Sequence, residues 1–223
     1  MDNADPDLNH YGDFDVNFTA YDIDSLKNNI SLLNNGFNLM HHNSRSLLTE
    51  GRVEEYEVLL DSVNNSFHIL ALSETWLKVD NVDNVIFYGY EHIYNLRPIS
   101  DNNEDKDTGG GLSFFIKNDI SYKVCDSMNL MLPFVESLFI EVSFNQKNYI
   151  IGLIYRVPNT NVDNFNDTIN TLVEPIRNKH EVILLGDFNI DLMQDNKHTR
   201  DFQNMLQSNY LVPTIWNQHE LLM

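Results

Sequence analysis

Residues 181–191, EVILLGDFNID, constrain the chain more than any other stretch. Val182, Ile183, Leu184 and Leu185 form an unbroken apolar run. A short run without polar alternation suits a strand buried on both faces. Gly186, Asp187, Phe188 and Asn189 follow at once. A carboxylate delivered straight from a buried strand is costly to desolvate unless something pairs with it. Side chains two apart on an extended chain point the same way, so Asp187 and Asn189 can converge on one target. The plainer alternative is an Asp that caps a turn, with Asn189 in a left-handed conformation. Residues 68–74, HILALSE, repeat the design: an apolar run that ends in Glu74.

Strands buried on both faces need a sizeable core. A chain of 223 residues, 42% hydrophobic and 21% charged, can build one as a single globular domain. No apolar run is long enough to span a bilayer as a helix. The first residues, MDNADPDLNHYGDFD, are acidic and carry no apolar signal core. The expectation is an intracellular protein, in nucleus or cytoplasm. A single cysteine, Cys125, fits a reducing compartment. The formal net charge of −19 argues against holding nucleic acid by bulk electrostatics, which needs Lys and Arg. It leaves open an enzyme that meets phosphates through a bound cation, with weak, salt-sensitive affinity.

Residues 1–36 are rich in Asp and Asn and read as a largely disordered acidic segment, with a short helix at about 22–33. The folded domain is expected from residue 37 to 223. Residues 37–43 read as its first strand. Apolar residues at 53, 56, 59, 60 and 63 make one face of a helix. Further strands are expected within 85–94 and at 112–116, 121–125, 138–144 and 149–155, with a hairpin turn at 145–148. Gly109-Gly110-Gly111 lacks the spacing and following helix of a phosphate loop, so it serves a turn or a close backbone approach. Helices are expected at 162–176 and 199–207, and a last strand at 211–215.

Core strands therefore end in Asn43, Glu74, Tyr155 (with Arg156 and Asn159 beyond) and Asp187 with Asn189. Strand ends are where α/β architectures gather sites. The inventory is almost all oxygen, with no Cys/His cluster for zinc and no Gly-x-Ser-x-Gly elbow. Oxygen donors with one or two carboxylates suit Mg²⁺, which keeps waters and bridges to phosphate. Such a metal polarises a phosphoryl group, while a carboxylate positions or deprotonates the attacking water.

The segments HHNSRSL, ALSETWL, GGGLSFFI, ESLFIEV, IGLIYRVPN and LLGDFNID occur in this order. Together they resemble the endonuclease/exonuclease/phosphatase family, most closely the endonuclease domain of jockey-like non-LTR retrotransposons. The resemblance implies a four-layer α/β sandwich of two mixed β-sheets flanked by helices. It implies cleavage of DNA that depends on Mg²⁺ (or Mn²⁺) and leaves a 3′-hydroxyl to prime a reverse transcriptase, the partner domain in a full-length element. Glu74 is then the metal ligand with Asn43 beside it. Tyr155 approaches the scissile phosphate, Asp187 handles protons, and Asn189 orients the water or the phosphate. Arg156 and Asn159 belong to the phosphate- and substrate-binding part of the motif. His41 and His42 are read as strand residues.

The family closes with a late Ser-Asp-His segment whose His stabilises the attacked phosphate. This sequence has no such segment, and His219 in Asn-Gln-His-Glu does not fit it. A second sheet that is incomplete at its C-terminal strands is the corresponding expectation, with impaired activity. Two other readings stand beside this one: a catalytically dead, retroelement-derived interaction protein, and another phosphatase or phosphodiesterase of the same family.

Overall fold

The computed structural model describes residues 36–98 and 109–213. Residues 1–35, with the helix expected near 22–33, lie outside the described residues, as do the polar loop at 100–108 and positions 214–223. The first half of the fold comprises β1 (Leu39–Asn43), helix α1 (Arg52–Ser62), β2 (Ile69–Ser73), β3 (Tyr90–Asn95) and β4 (Leu112–Lys117). The second half comprises β5 (Ser121–Val124), β6 (Leu130–Leu132), β7 (Val135–Phe144), β8 (Lys147–Arg156), α2 (Val162–Val173), β9 (Glu181–Asp187) and α3 (Lys197–Ser208). Among the described residues, no helix is long and apolar enough to cross a membrane.

Two mixed sheets result. The first runs β1-β2-β4-β3, with β1 and β2 parallel and the other pairs antiparallel. The second runs β5-β7-β8-β9, with β6 also paired to β7 and with β8 and β9 parallel. The second sheet was expected to be the incomplete one. Among the described residues it has five strands to the first sheet's four. Sequence periodicity missed β6, which is only three residues long. It also started β7 late, because the polar pair Glu136-Ser137 interrupts the apolar pattern there. Both polar side chains are fully buried.

Strand alternation sorts the apolar residues into three cores. Ile69 and Ala71 of β2 and Phe114 and Ile116 of β4 meet Leu138, Ile140, Ile151 and Leu153 between the sheets. The intervening Leu70, Leu72 and Phe115 face the other way, onto Tyr56 and Leu60 of α1. On the far side Phe139 and Ile154 pack on Phe165 and Ile169 of α2 and Phe202 of α3. The layers are thus helix, sheet, sheet, helix. Each fully buried large apolar side chain contributes roughly 1.5–3 kcal/mol. The two helices on the outer face of the second sheet are capped alike, Asn161 accepting from Asn164 N at 2.9 Å and Asn196 from Thr199 N at 3.0 Å. The β7–β8 hairpin turns on Asn145 and Gln146, both left-handed (φ 47° and 65°), the backbone that a two-residue hairpin loop favours.

The first sheet also holds half-buried histidines. His41 Nε2 lies 3.2 Å from Ser73 Oγ, and burial, with His42 beside it, lowers its pKa to about 3. His92 stacks on Phe115, and burial lowers its pKa to about 4. An unfolded histidine takes a proton near pH 6.5, whereas these do so only well below it. The unfolded state therefore binds more protons between pH 6.5 and the folded values, and stability falls as pH falls through that window. Urea unfolding free energies should be level above pH 7. They should drop between pH 6.5 and 5, above the carboxylate range, by up to roughly 1.4 kcal/mol per pH unit for each such histidine. A flat profile between 6.5 and 5 would show that these rings are not held neutral.

Candidate active site

The two parallel pairs place the site. In the first sheet Asn43 stands opposite Ser73, and Glu74 comes next. In the second Tyr155 stands opposite Asp187. β1 packs across the sandwich against β9. The C-terminal ends of β1, β2, β8 and β9 thus reach one rim, and four of the expected residues arrive there together.

Asn43 joins them. Its Nδ2 donates to Glu74 Oε1 at 2.7 Å and to Asp187 Oδ2 at 2.8 Å, so one amide bridges a carboxylate from each sheet. Its Oδ1 accepts from Arg45 N at 3.2 Å. The Tyr155 side chain is buried beside the Glu74 carboxylate. Burial first, and the Glu74 carboxylate second, raise the pKa of the phenol, so it keeps its proton throughout the neutral range.

The backbone under Glu74 is unusual. Glu74 and Trp76 are both left-handed, at φ 52° and 58°. Such conformations in non-glycine residues persist only where the surroundings fix them. The Glu74 carbonyl accepts from Ser46 N at 2.8 Å and from Ser44 Oγ at 3.0 Å. On its other side Thr75 N donates to Gly111 O at 3.1 Å and Trp76 N to Gly110 O at 2.9 Å.

A separate device holds Asp187. The backbone N–H of Asn189 donates to Asp187 Oδ1 at 3.0 Å. This is the turn-capping geometry that sequence offered as the plainer alternative, and the other carboxylate oxygen still reaches Asn43. Asn189 is left-handed at φ 49°, and its Nδ2 donates to Arg156 O at 2.8 Å. Arg156 is buried, and its guanidinium is committed to protein carbonyls. Nε donates to Phe188 O at 2.7 Å, Nη2 to Asn189 O at 2.6 Å and Nη1 to Thr160 O at 2.8 Å. Asn159 is exposed on the turn after β8, left-handed at φ 60°.

His41 and His42 turn away from this cluster, to Ser73 and to Tyr56 Oη respectively. Among the described residues, no histidine hydrogen-bonds Asn43, Glu74, Tyr155, Asp187 or Asn189. Sequence reasoning missed Glu136 and Arg97, which form an ion pair beside the rim. The signal available was an acid inside the β7 apolar pattern, a costly placement without a partner.

Among the described residues, no group of three or more His, Cys, Asp or Glu side chains could hold a metal ion. Two carboxylates and an amide converge instead. Their chemistry fits a hard cation such as Mg²⁺, which takes one or two carboxylates and completes its shell with water and phosphate. It does not fit zinc.

No protein-family model and no curated protein matches the sequence. Solved structures do. The endonuclease domain of TRAS1, a telomere-specific non-LTR retrotransposon, matches with a TM-score of 0.53 at 12% identity, covering 78% of this chain and 71% of that one. The AP endonuclease LMAP from Leishmania major matches with 0.55 at 14% identity, over 77% and 66%. The chain has the endonuclease/exonuclease/phosphatase fold. The catalytic domain of human Nocturnin shares this endonuclease/exonuclease/phosphatase architecture, with a TM-score of 0.51 at 15% identity over 77% and 69%. At these identities the likeness is one of fold and assigns no residue a role.

Proposed function

We propose that the chain hydrolyses phosphodiester bonds of DNA, using a Mg²⁺ or Mn²⁺ ion held by Glu74 and Asn43. The observation that carries this reading is the Asn43 amide bonded at once to Glu74 and Asp187, with the buried Tyr155 opposite Asp187 on the neighbouring strand. That is an oxygen-only cluster on the rim where four strands end. The retrotransposon endonuclease and the AP endonuclease among the similar folds support DNA as the substrate. With a net charge of −19, substrate affinity is expected to be weak and salt-sensitive.

When bound, the cation supplies Lewis-acid polarisation of the phosphoryl group and compensates charge on the leaving oxygen. The chain's own residues do the rest. Tyr155, kept protonated by burial, remains a hydrogen-bond donor at the phosphate. Asp187, oriented through both its oxygens, exchanges a proton with the attacking water or the leaving group. Asn189 orients the water or a phosphate oxygen. Arg156 fixes the Phe188 and Asn189 carbonyls and so positions that amide. Asn159, exposed on the neighbouring turn, meets the substrate backbone. Cleavage that leaves a 3′-hydroxyl would supply a primer to a reverse transcriptase, the partner this reading implies.

With no histidine bonded to the cluster among the described residues, turnover is expected to be orders of magnitude below that of an enzyme with a phosphate-stabilising histidine. The same observation favours the second reading, a folded interaction protein that no longer cleaves. Titration calorimetry with Mn²⁺ distinguishes the two. Glu74→Ala should weaken binding by about 100-fold or more, as loss of a direct ligand does when loss of an outer-shell partner already costs about 10–100-fold. Unchanged Mn²⁺ affinity in Glu74→Ala would sink the ligand assignment.

A further inference from the structure

We propose that the ion pair of half-buried Arg97 with buried Glu136 positions Glu74, by fixing the glycine backbone that holds Glu74 in its left-handed conformation. This rests on the reading of Glu74 as a metal ligand. Glu136 lies on β7 opposite Tyr155, and it is fully buried. Its Oε1 accepts from Arg97 Nε at 2.6 Å, with Arg97 Nη2 also against it. Its Oε2 accepts from Gly111 N at 2.8 Å.

The glycines lie directly on the pair. A Cβ at Gly110 would stand 2.3 Å from both Arg97 Cζ and Glu136 Oε1. Gly110 and Gly111 are left-handed, at φ 69° and 82°, and their carbonyls accept from Trp76 N and Thr75 N. The connection runs from Arg97 to Glu136, to Gly111, to the two amides that follow Glu74. Ser44 and Ser46 hold the Glu74 carbonyl from the opposite side. Glu74 is therefore clamped from both directions, and the pair supplies one of the two jaws.

Stability alone does not account for the pair. A carboxylate buried at Glu136 carries a desolvation cost that an apolar side chain of similar volume would not. Every other inward position of β7 along this face, at Leu138, Ile140 and Val142, is apolar. Burial raises the pKa of Glu136 on balance, with the Arg97 guanidinium and the Gly111 N–H opposing the rise. The carboxylate is kept there by specific partners.

The test is Mn²⁺ affinity of the full chain without nucleic acid, read from the free Mn²⁺ signal in electron paramagnetic resonance. Wild type, Glu74→Ala, Glu136→Gln and Gly110→Ala are compared, with circular dichroism melts recorded in the absence of metal. Glu136→Gln keeps one acceptor but sets an amide N–H against the second donor. Gly110→Ala leaves both charges and pushes the pair off the loop. Both are expected to weaken Mn²⁺ binding by about 10–100-fold while remaining folded, the size of effect seen for partners that orient metal ligands. Wild-type affinity in either folded variant overturns the proposal. If Glu136→Gln does not fold, Gly110→Ala decides. Absent Mn²⁺ binding in wild type, or wild-type affinity in Glu74→Ala, overturns the ligand reading itself, and this proposal with it.

Discussion

Asp187→Asn is expected to slow phosphodiester cleavage by about 10²–10⁴-fold, the usual worth of a positioned proton-transfer group. The substitution is isosteric. Its Oδ1 can still accept from Asn189 N, so the turn survives. Its new amide N–H groups face Asn43 Nδ2, where a carboxylate oxygen accepted before. That donor-against-donor contact removes one hydrogen bond, at a stability cost of about 1–2 kcal/mol. The Asn43–Glu74 bond at 2.7 Å is untouched, so Mn²⁺ affinity should stay within about tenfold of wild type, below the loss expected for a direct ligand. Single-turnover rates and metal titrations on the same preparation separate the two quantities. A metal affinity lost as completely as in Glu74→Ala would make Asp187 a ligand, not a proton carrier. An unchanged cleavage rate would remove it from the chemistry.

Gly186→Ala is the second large effect, and it acts on structure. A Cβ at Gly186 would stand 1.8 Å from the Ile154 carbonyl oxygen and 2.8 Å from its carbon, both backbone atoms of the neighbouring strand. Neither can swing aside as a flexible side chain would. The backbone there has φ 149°, where side-chain-bearing residues are strained. The only relief is to separate β9 from β8 at the residue before Asp187. A cost above about 4 kcal/mol is expected, in the range reserved for overpacking and backbone conflict. In a chain of this size that lowers the melting temperature by roughly 8–16 °C. Mn²⁺ binding should weaken in parallel, because Asp187 leaves its place beside Asn43. A melting temperature within two or three degrees of wild type, about 1 kcal/mol, would show that β9 does not hold this register.

Local pattern carried much of the fold. The apolar runs that became β2 and β9 are placed to within a residue or so, and so are the acids that follow or end them; β2 is buried on both faces as expected, whereas β9 ends its sheet among the described residues and its apolar run is only half-buried. The helix face at Tyr56 and Leu60 and the hairpin turn at Asn145-Gln146 were legible too, from residues close together in the chain. What sequence did not show was produced at long range. Asn43 and Asp187 are 144 positions apart, and no spacing announces that one amide bridges two sheets. Arg156 was expected in the phosphate- and substrate-binding part of the motif, yet it is buried and its guanidinium donates to three protein carbonyls. Glu136 reads as a break in a strand, and only the return of Arg97 and Gly111 from a distant segment makes its burial affordable. Residues 211–213, expected to open a strand, are irregular. Leu211 instead packs into the core under α2 and α3.

The most direct measurement is the nicking of supercoiled plasmid by the purified full chain in Mg²⁺ at low salt, with EDTA and Glu74→Ala as controls. Slow conversion to the nicked circle is expected, abolished by EDTA and by Glu74→Ala, and weakened as salt rises. A demonstrably folded chain that leaves the plasmid intact would contradict that expectation, as would nicking that survives in Glu74→Ala.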